Sequence, residues 1–430
     1  MEIEQNTEVV IIGGGIVGCT AAYFLTKNNV PVVLCEKGVI AGEQSSRNWG
    51  FVRQQGRDPA EVPLMMECNR MWQKFERELG ARLDWIQGGN LYLADSEEKM
   101  AAFEAWIEIA EANDLDTQLL SMTEVKQLIP EISGNWYGGV HTPSDGQAEP
   151  TKVAPAFARA AQSKGANVYE QCVVFAIDTN NGAVSGVETE RGYIKCNAVV
   201  CATGAWTGRM ARSVGEKLPM MWMRGSVANT ECVKPVSRAG IWANVGLRQR
   251  KDGSFNIADG ERSDHDVSLQ TLLSGRWFYK SYAKYKNELD LHFGKPILDD
   301  LTRMLAGNSS LRKDLMHRRT LDPAPNHKRL SGALAQLKKL FPIVGNPDIR
   351  RSWAGYIDFT PDMIPVIAPA QKTSGLIFAA GMSGHGFGLG PIVGRLASEL
   401  ATQGQSSMDI SEFSMNRFVD GTVLEPRNLV

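Results

Sequence analysis

The chain has 430 residues, which at about 150 per domain implies roughly two to three domains, and its 43% hydrophobic content excludes a disordered or fibrous polypeptide. Its 46 basic against 48 acidic residues leave a net charge of −2 with no block of like charge, so a nucleic-acid or membrane-surface partner gets no electrostatic support. Seven cysteines, scattered and without a C-x-x-C pair, read as buried reduced thiols of a cytoplasmic protein. The one stretch resembling a membrane span or signal core, 9–25, follows Glu2, Glu4 and Glu8 and holds four glycines, so neither a transmembrane segment nor secretion is expected.

Residues 9–12 are a β-branched run, Gly13, Gly14 and Gly15 break it, and 16–25 continue at helical spacing: strand, glycine turn and helix are predicted. A second buried strand at 30–35 ends at Glu36 and completes a β-α-β unit. Leu64, Met65, Cys68, Met71, Trp72, Phe75 and Leu79 make one face of a helix over 61–79, with Pro63 tolerated in its first turn. Helices over 97–113 and 151–164 follow, the latter closed by Gly165, and then short strands at 168–170, 173–177, 184–189 and 198–202. From Trp222 to about Arg350 an aromatic-rich, charge-mixed texture marks a second domain. A buried strand at 376–380 leads through a glycine-rich turn to a helix over 391–403.

Gly13-x-Gly15-x-x-Gly18 follows a strand and opens a helix, which lets a pyrophosphate approach the backbone and meet free N–H groups at the helix N-terminus. Glu36 is placed to accept hydrogen bonds from both hydroxyls of an adenosine ribose. A glycine turn that merely packs is the other reading, and the fingerprint does not choose between FAD and NAD. Ala202-Thr203-Gly204-Ala205-Trp206, after the strand at 198–200, resembles the second dinucleotide motif of FAD-binding proteins of the glutathione reductase type. In the stretch 375–391 a strand, a glycine loop and a helix start allow N–H groups and the helix dipole to face an electron-rich flavin edge.

With Ser45-Ser46-Arg47-Asn48, Asp145-Gly146, Trp222-Met223-Arg224-Gly225, Trp353-Ala354-Gly355, Thr360-Pro361-Asp362 and Arg417-Phe418, these motifs resemble the D-amino-acid oxidase and sarcosine oxidase family of FAD-dependent amine oxidoreductases. The resemblance covers most of the chain. It implies an α/β fold: a glutathione-reductase-type FAD-binding Rossmann domain, discontinuous over 1–58, 146–221 and 352–407, a mixed-sheet (α+β) substrate-binding domain from 59–145 and 222–351, and a C-terminal tail at 408–430. It also implies a set of FAD contacts. These are Gly13, Gly15, Ile16, Val17, Gly18, Glu36 and Lys37; Ser45, Ser46, Arg47, Asn48, Trp49 and Gly50; Val173 and Val174; Ala202, Thr203, Gly204 and Trp206; Arg224 and Gly225; Gly355 and Asp362; and Gly384, His385, Gly386, Phe387 and Gly388. Arg47 and Arg224 are equally suited to interdomain ion pairs.

By the same resemblance Arg53 holds a substrate carboxylate, a task for which a fork of donors is suited, the alternative being a loop cap near Asp58. Trp49 and Phe51 are candidates for an apolar pocket beside it. Some members bind FAD through a cysteine where Gly355 stands, so non-covalent FAD is expected. Gly388 occupies the place of a carboxylate-binding lysine, and 253–258 lacks the lysine that promotes reaction with oxygen, with Lys251 only nearby. The electron acceptor is therefore open between oxygen, a membrane quinone and a protein. The implied reaction is oxidation of an amino acid or related secondary amine (a D-amino acid, an N-methyl amine or an imino acid) by hydride transfer to the flavin, giving an imine that hydrolyses. Two alternatives stand beside it: an FAD-dependent hydroxy-acid or polyol-phosphate dehydrogenase with His385 as base, and a non-catalytic FAD-carrying subunit of a heteromeric complex. His141, His265, His292, His317 and His327 have no metal-ligand spacing, and no metal is expected.

Overall fold

The computed structural model describes residues 3–305, 311–423 and 425–427. Two large sheets organise it. The first has six strands in the order Val366–Pro369, Leu376–Ala380, Ala198–Cys201, Val9–Ile12, Val32–Cys35 and Asn167–Tyr169. All pair in parallel except Val366–Pro369. Both faces are covered, which is why the inner strands are continuous apolar runs rather than alternating ones. Val9, Ile11, Val32, Leu34, Ala198 and Val200 pack on the helices Ile16–Lys27, Pro150–Ser163 and Gly386–Gln403. Val10, Ile12, Val33, Cys35, Val199 and Cys201 face the three-stranded sheet built from Val174–Asn180, Ala183–Thr189 and Gly192–Lys195.

The second sheet has ten mixed strands. Its longest pair is Met221–Cys232 with Ile349–Phe359, antiparallel from Met221↔Phe359 to Thr230↔Ile349. The helix Glu61–Leu79 buries Leu64, Met65, Cys68, Trp72 and Phe75 and ends at Gly80 in the left-handed conformation. It lies on the helix Gly386–Gln403, whose Gly388 carbonyl accepts from Trp72 Nε1 (2.8 Å).

Two expectations are corrected. The last long helix starts at Gly386, five residues before the predicted start, because small residues there let it pack on the neighbouring chain rather than form a turn. Cys232 is exposed, at the end of a strand, while the other six cysteines are buried. Arg224 and Gly225 lie inside the strand Met221–Cys232. Among the described residues no helix is long and apolar enough to cross a membrane.

Candidate active site

At the C-terminal ends of the parallel strands, where the strand order reverses on either side of Val9–Ile12, lies a long cavity. Its floor is the glycine turn. Gly13 has φ +108°, a conformation closed to L side chains, and a Cβ at Gly18 would run into the Gly13 carbonyl. The turn is thereby pressed onto the first helix, whose N-cap Gly15 has no side chain and whose first turn carries no acid. Ser45 Oγ accepts from the Ile16 N–H (2.9 Å). Glu36 accepts from the Gly14 and Gly38 N–H groups (2.7 Å each). Burial pushes its carboxyl up against those donors. Bare backbone N–H groups at a helix N-terminus suit a pyrophosphate, and a carboxylate at the end of the second strand suits a ribose. The residues present thus fit FAD.

Of the residues named from sequence, Gly13, Gly15, Ile16, Val17, Glu36, Lys37, Ser45, Asn48, Val173, Val174, Ala202, Thr203, Gly204, Trp206, Gly384, Gly386 and Phe387 line this cavity. The others stand off its wall, each for a packing reason. Gly18 backs the turn from inside the helix. Ser46 donates to the Ala41 carbonyl (2.6 Å). Arg47 pairs with Asp322 (2.6 Å) and Arg224 with Asp266 (3.0 Å). Trp49 packs on Trp242, with ring centroids 4.7 Å apart. Gly50 donates to Asn48 Oδ1 (2.9 Å). Gly225 and Gly355 face each other across the long strand pair. Asp362 is buried in an ion pair with Arg417 (2.7 Å). Gly388 accepts from Trp72 in the first turn of its helix.

His385 also stands off the wall of this cavity. Its Nδ1 meets Glu61 Oε2 at 2.8 Å, both groups being buried. Burial, then the Arg57 charge, pushes the imidazole down to about 4, so it is neutral near pH 7. Burial would raise Glu61, but His385, Arg57 and Arg53 win and hold it below its ordinary value. His385 lines neither cavity described here and caps the helix Gly386–Gln403.

A second, larger cleft adjoins the first, its wall continuing along the strand Ile349–Phe359 from Ile357 and Asp358 into Phe359 and Thr360. Arg53 lines it, donating to the Gln55 carbonyl and lying 5.6 Å over the Tyr92 ring. It makes no ion pair among the described residues. Trp49 and Phe51, expected beside it, are replaced in the wall by Tyr92 and Trp242. Behind it Arg57 is wholly buried, and desolvation drags its guanidinium down to about 9. Lys251 pairs with Asp84 (3.7 Å) and lines neither cavity.

Sequence reasoning missed Asp358, Tyr356, Met382 and Leu315 of the first cavity's wall. Asp358 Oδ2 accepts from the Gly381 N–H (2.7 Å), and burial pushes its carboxyl up to about 6. An isolated acid inside a strand was the available signal. Leu315 belongs to the segment 311–322, which crosses the rim: Lys37 donates to the Arg319 carbonyl (2.8 Å), Arg319 grips Glu190 with two donors (2.5 and 2.7 Å), and the Leu321 N–H reaches Glu43 (3.0 Å).

Human mitochondrial sarcosine dehydrogenase is 25% identical over 437 residues, which are 99% of this chain and 43% of that protein. Glycine oxidase from Bacillus subtilis (strain 168) is 25% identical over 419 residues, 95% of this chain and 96% of the oxidase. In three dimensions the chain is similar to L-proline dehydrogenase from P. horikoshii, with a TM-score of 0.81, 27% identity, and coverage of 99% of this chain and 100% of that one. The chain spans less than half the length of the mitochondrial sarcosine dehydrogenases that it matches. With residues 8–400 matched by the FAD dependent oxidoreductase (DAO) family and a cavity fitted to FAD at its centre, the chain belongs to that family.

Proposed function

We propose that the protein oxidises an amino acid or related secondary amine at the C–H bond next to nitrogen, and that the imine formed is hydrolysed by water. FAD, when bound, supplies the two-electron acceptor. The observation that carries this reading is Arg53: a guanidinium without an acid partner among the described residues, in the wall of a cleft that adjoins the FAD cavity. A fork of donors facing a low-dielectric cleft takes up a carboxylate and fixes the reacting C–H relative to the acceptor. Glu61 and Arg57 hold charge behind it, and the neutral His385 keeps the 384–386 turn in place. The cofactor is held without a covalent bond. Gly355 offers no thiol, and the two thiols in the wall, Cys35 and Cys172, stand beside Glu36 at the nucleotide end.

Relatives named for sarcosine and glycine support an amine over an alcohol. The hydroxy-acid alternative needs a base for the hydroxyl proton, and His385, buried against Glu61, is poorly placed to be one. Anaerobic mixing of the flavin-loaded protein with amino acids and with hydroxy acids tests the assignment. Bleaching by amino acids is expected, bleaching by hydroxy acids alone overturns it, and admission of air then reports whether oxygen accepts the electrons. Arg53→Gln is expected to raise KM for carboxylated amines by about ten- to a hundredfold, the loss of a charge-assisted hydrogen bond, while kcat and flavin content change little. Unchanged kinetics across the panel would remove Arg53 from this role.

A further inference from the structure

The cleft beside Arg53 is far larger than glycine or sarcosine needs. Its volume is about 1090 Å³, at the upper end of pockets that enclose whole drug-sized ligands. Aromatic and thioether side chains dominate its wall, with Tyr92 and Phe103 buried at its base and Trp242, Phe278, Tyr282 and Phe359 around it. The apolar surface continues outward to Leu272 (64% exposed) and Tyr279 (74% exposed) at the mouth.

Charge is distributed unevenly over this wall. Lys99 is neutralised by Asp95 (2.9 Å) and Arg262 by Asp290 (3.0 Å). Arg53 alone among the wall's lysines and arginines has no such acid partner among the described residues. Glu261 and Glu288, the acids of the wall, are both exposed. A ligand complementary to this surface carries one anionic group for Arg53 and a large apolar body for the rest. Each methylene moved out of water adds to binding, whereas a glycine-sized ligand would leave the aromatic wall wet.

From this we infer that the substrate is an α-amino acid with a bulky apolar side chain, of aromatic size, whose carboxylate meets Arg53 and whose side chain fills the cleft bounded by Tyr92, Phe103, Trp242 and Phe359. The inference rests on the amine-oxidising reading proposed above, and it sets this chain apart from relatives named for small amines.

Binding and turnover test it separately. Acetate, benzoate and 3-phenylpropionate are titrated into the FAD-loaded protein, with binding read from the shift of the flavin absorbance. 3-Phenylpropionate is expected to bind at least tenfold tighter than acetate, with Arg53→Gln weakening both and Met223→Trp, which fills the cleft, removing the preference in protein of normal flavin content. Acetate binding as tightly as 3-phenylpropionate overturns the inference. In the anaerobic arm, phenylalanine and leucine of either configuration are expected to bleach the flavin at concentrations at least tenfold below glycine, alanine or sarcosine. Bleaching best by glycine or sarcosine overturns the substrate class and leaves amine oxidation standing. Tight 3-phenylpropionate binding with no amine bleaching the flavin supports the cleft's ligand class and overturns amine oxidation.

Discussion

Asp358 illustrates how a single carboxyl can couple the cofactor cavity to pH. Burial raises it to about 6, so it is largely neutral at pH 5 and largely charged at pH 7. FAD brings a negatively charged pyrophosphate into the same cavity and desolvates its wall further, both of which favour the protonated acid. The sign is therefore fixed: FAD binding takes up a proton near neutrality and weakens as pH rises through 6. We expect the Kd of the apoprotein for FAD to increase several-fold from pH 5 to pH 7, and Asp358→Asn to flatten that dependence; a wild-type Kd constant over this interval would contradict it. Residues whose chemistry depends on local sequence were legible at this scale. Glu36 follows from its distance to the glycine turn, and 17 of the 28 residues named for FAD do line the cavity. The pairing of His385 with Glu61 was not legible, because the two are 324 positions apart in the chain.

Helices and strands were legible where periodicity was strong. The helix Glu61–Leu79 and the strand Leu376–Ala380 have the bounds that their patterns predict. The helix Gly386–Gln403 did not, since a run with glycine at 386, 388 and 390 carries the signature of a turn. Its small residues serve packing instead. A Cβ at Gly390 would meet Ile16 Cγ2 at 2.7 Å, and one at Gly394 would meet the Val17 carbonyl at 2.6 Å and the Ala21 nitrogen at 2.8 Å. Thr20 Oγ1 reaches across the crossing to the Gly390 carbonyl (3.3 Å). Because the atoms met at Gly394 include backbone, the two helices must separate to admit a side chain. Gly394→Ala is expected to destabilise the fold by about 1–3 kcal/mol in a denaturant titration and to lower FAD content. The first helix carries the glycine turn, so the two losses should move together; full stability and full flavin content would show that the crossing is slack.

Across the whole molecule, the cofactor cavity is built from pieces that are remote in sequence, and the segment 311–322 ties its rim to the second half of the chain. Lys37, Glu43, Arg47 and Glu190 on one side meet Arg319, Leu321 and Asp322 on the other. Partly exposed pairs of this kind hold weakly one by one, and together they tie this segment across the rim of the cavity. Arg319→Ala is expected to speed FAD release by about three- to tenfold, as followed by recovery of flavin fluorescence after dilution, with little change in thermal stability; an unaltered release rate would show that the segment does not limit escape. The same dispersal sets an order of events during biosynthesis. Because one wall of the nucleotide groove comes from 12–17 and another from 379–387, a ribosome must deliver almost the entire polypeptide before any coenzyme can lodge in it. Nascent chains stalled short of residue 379 should emerge without flavin, however much of the vitamin-derived molecule surrounds them.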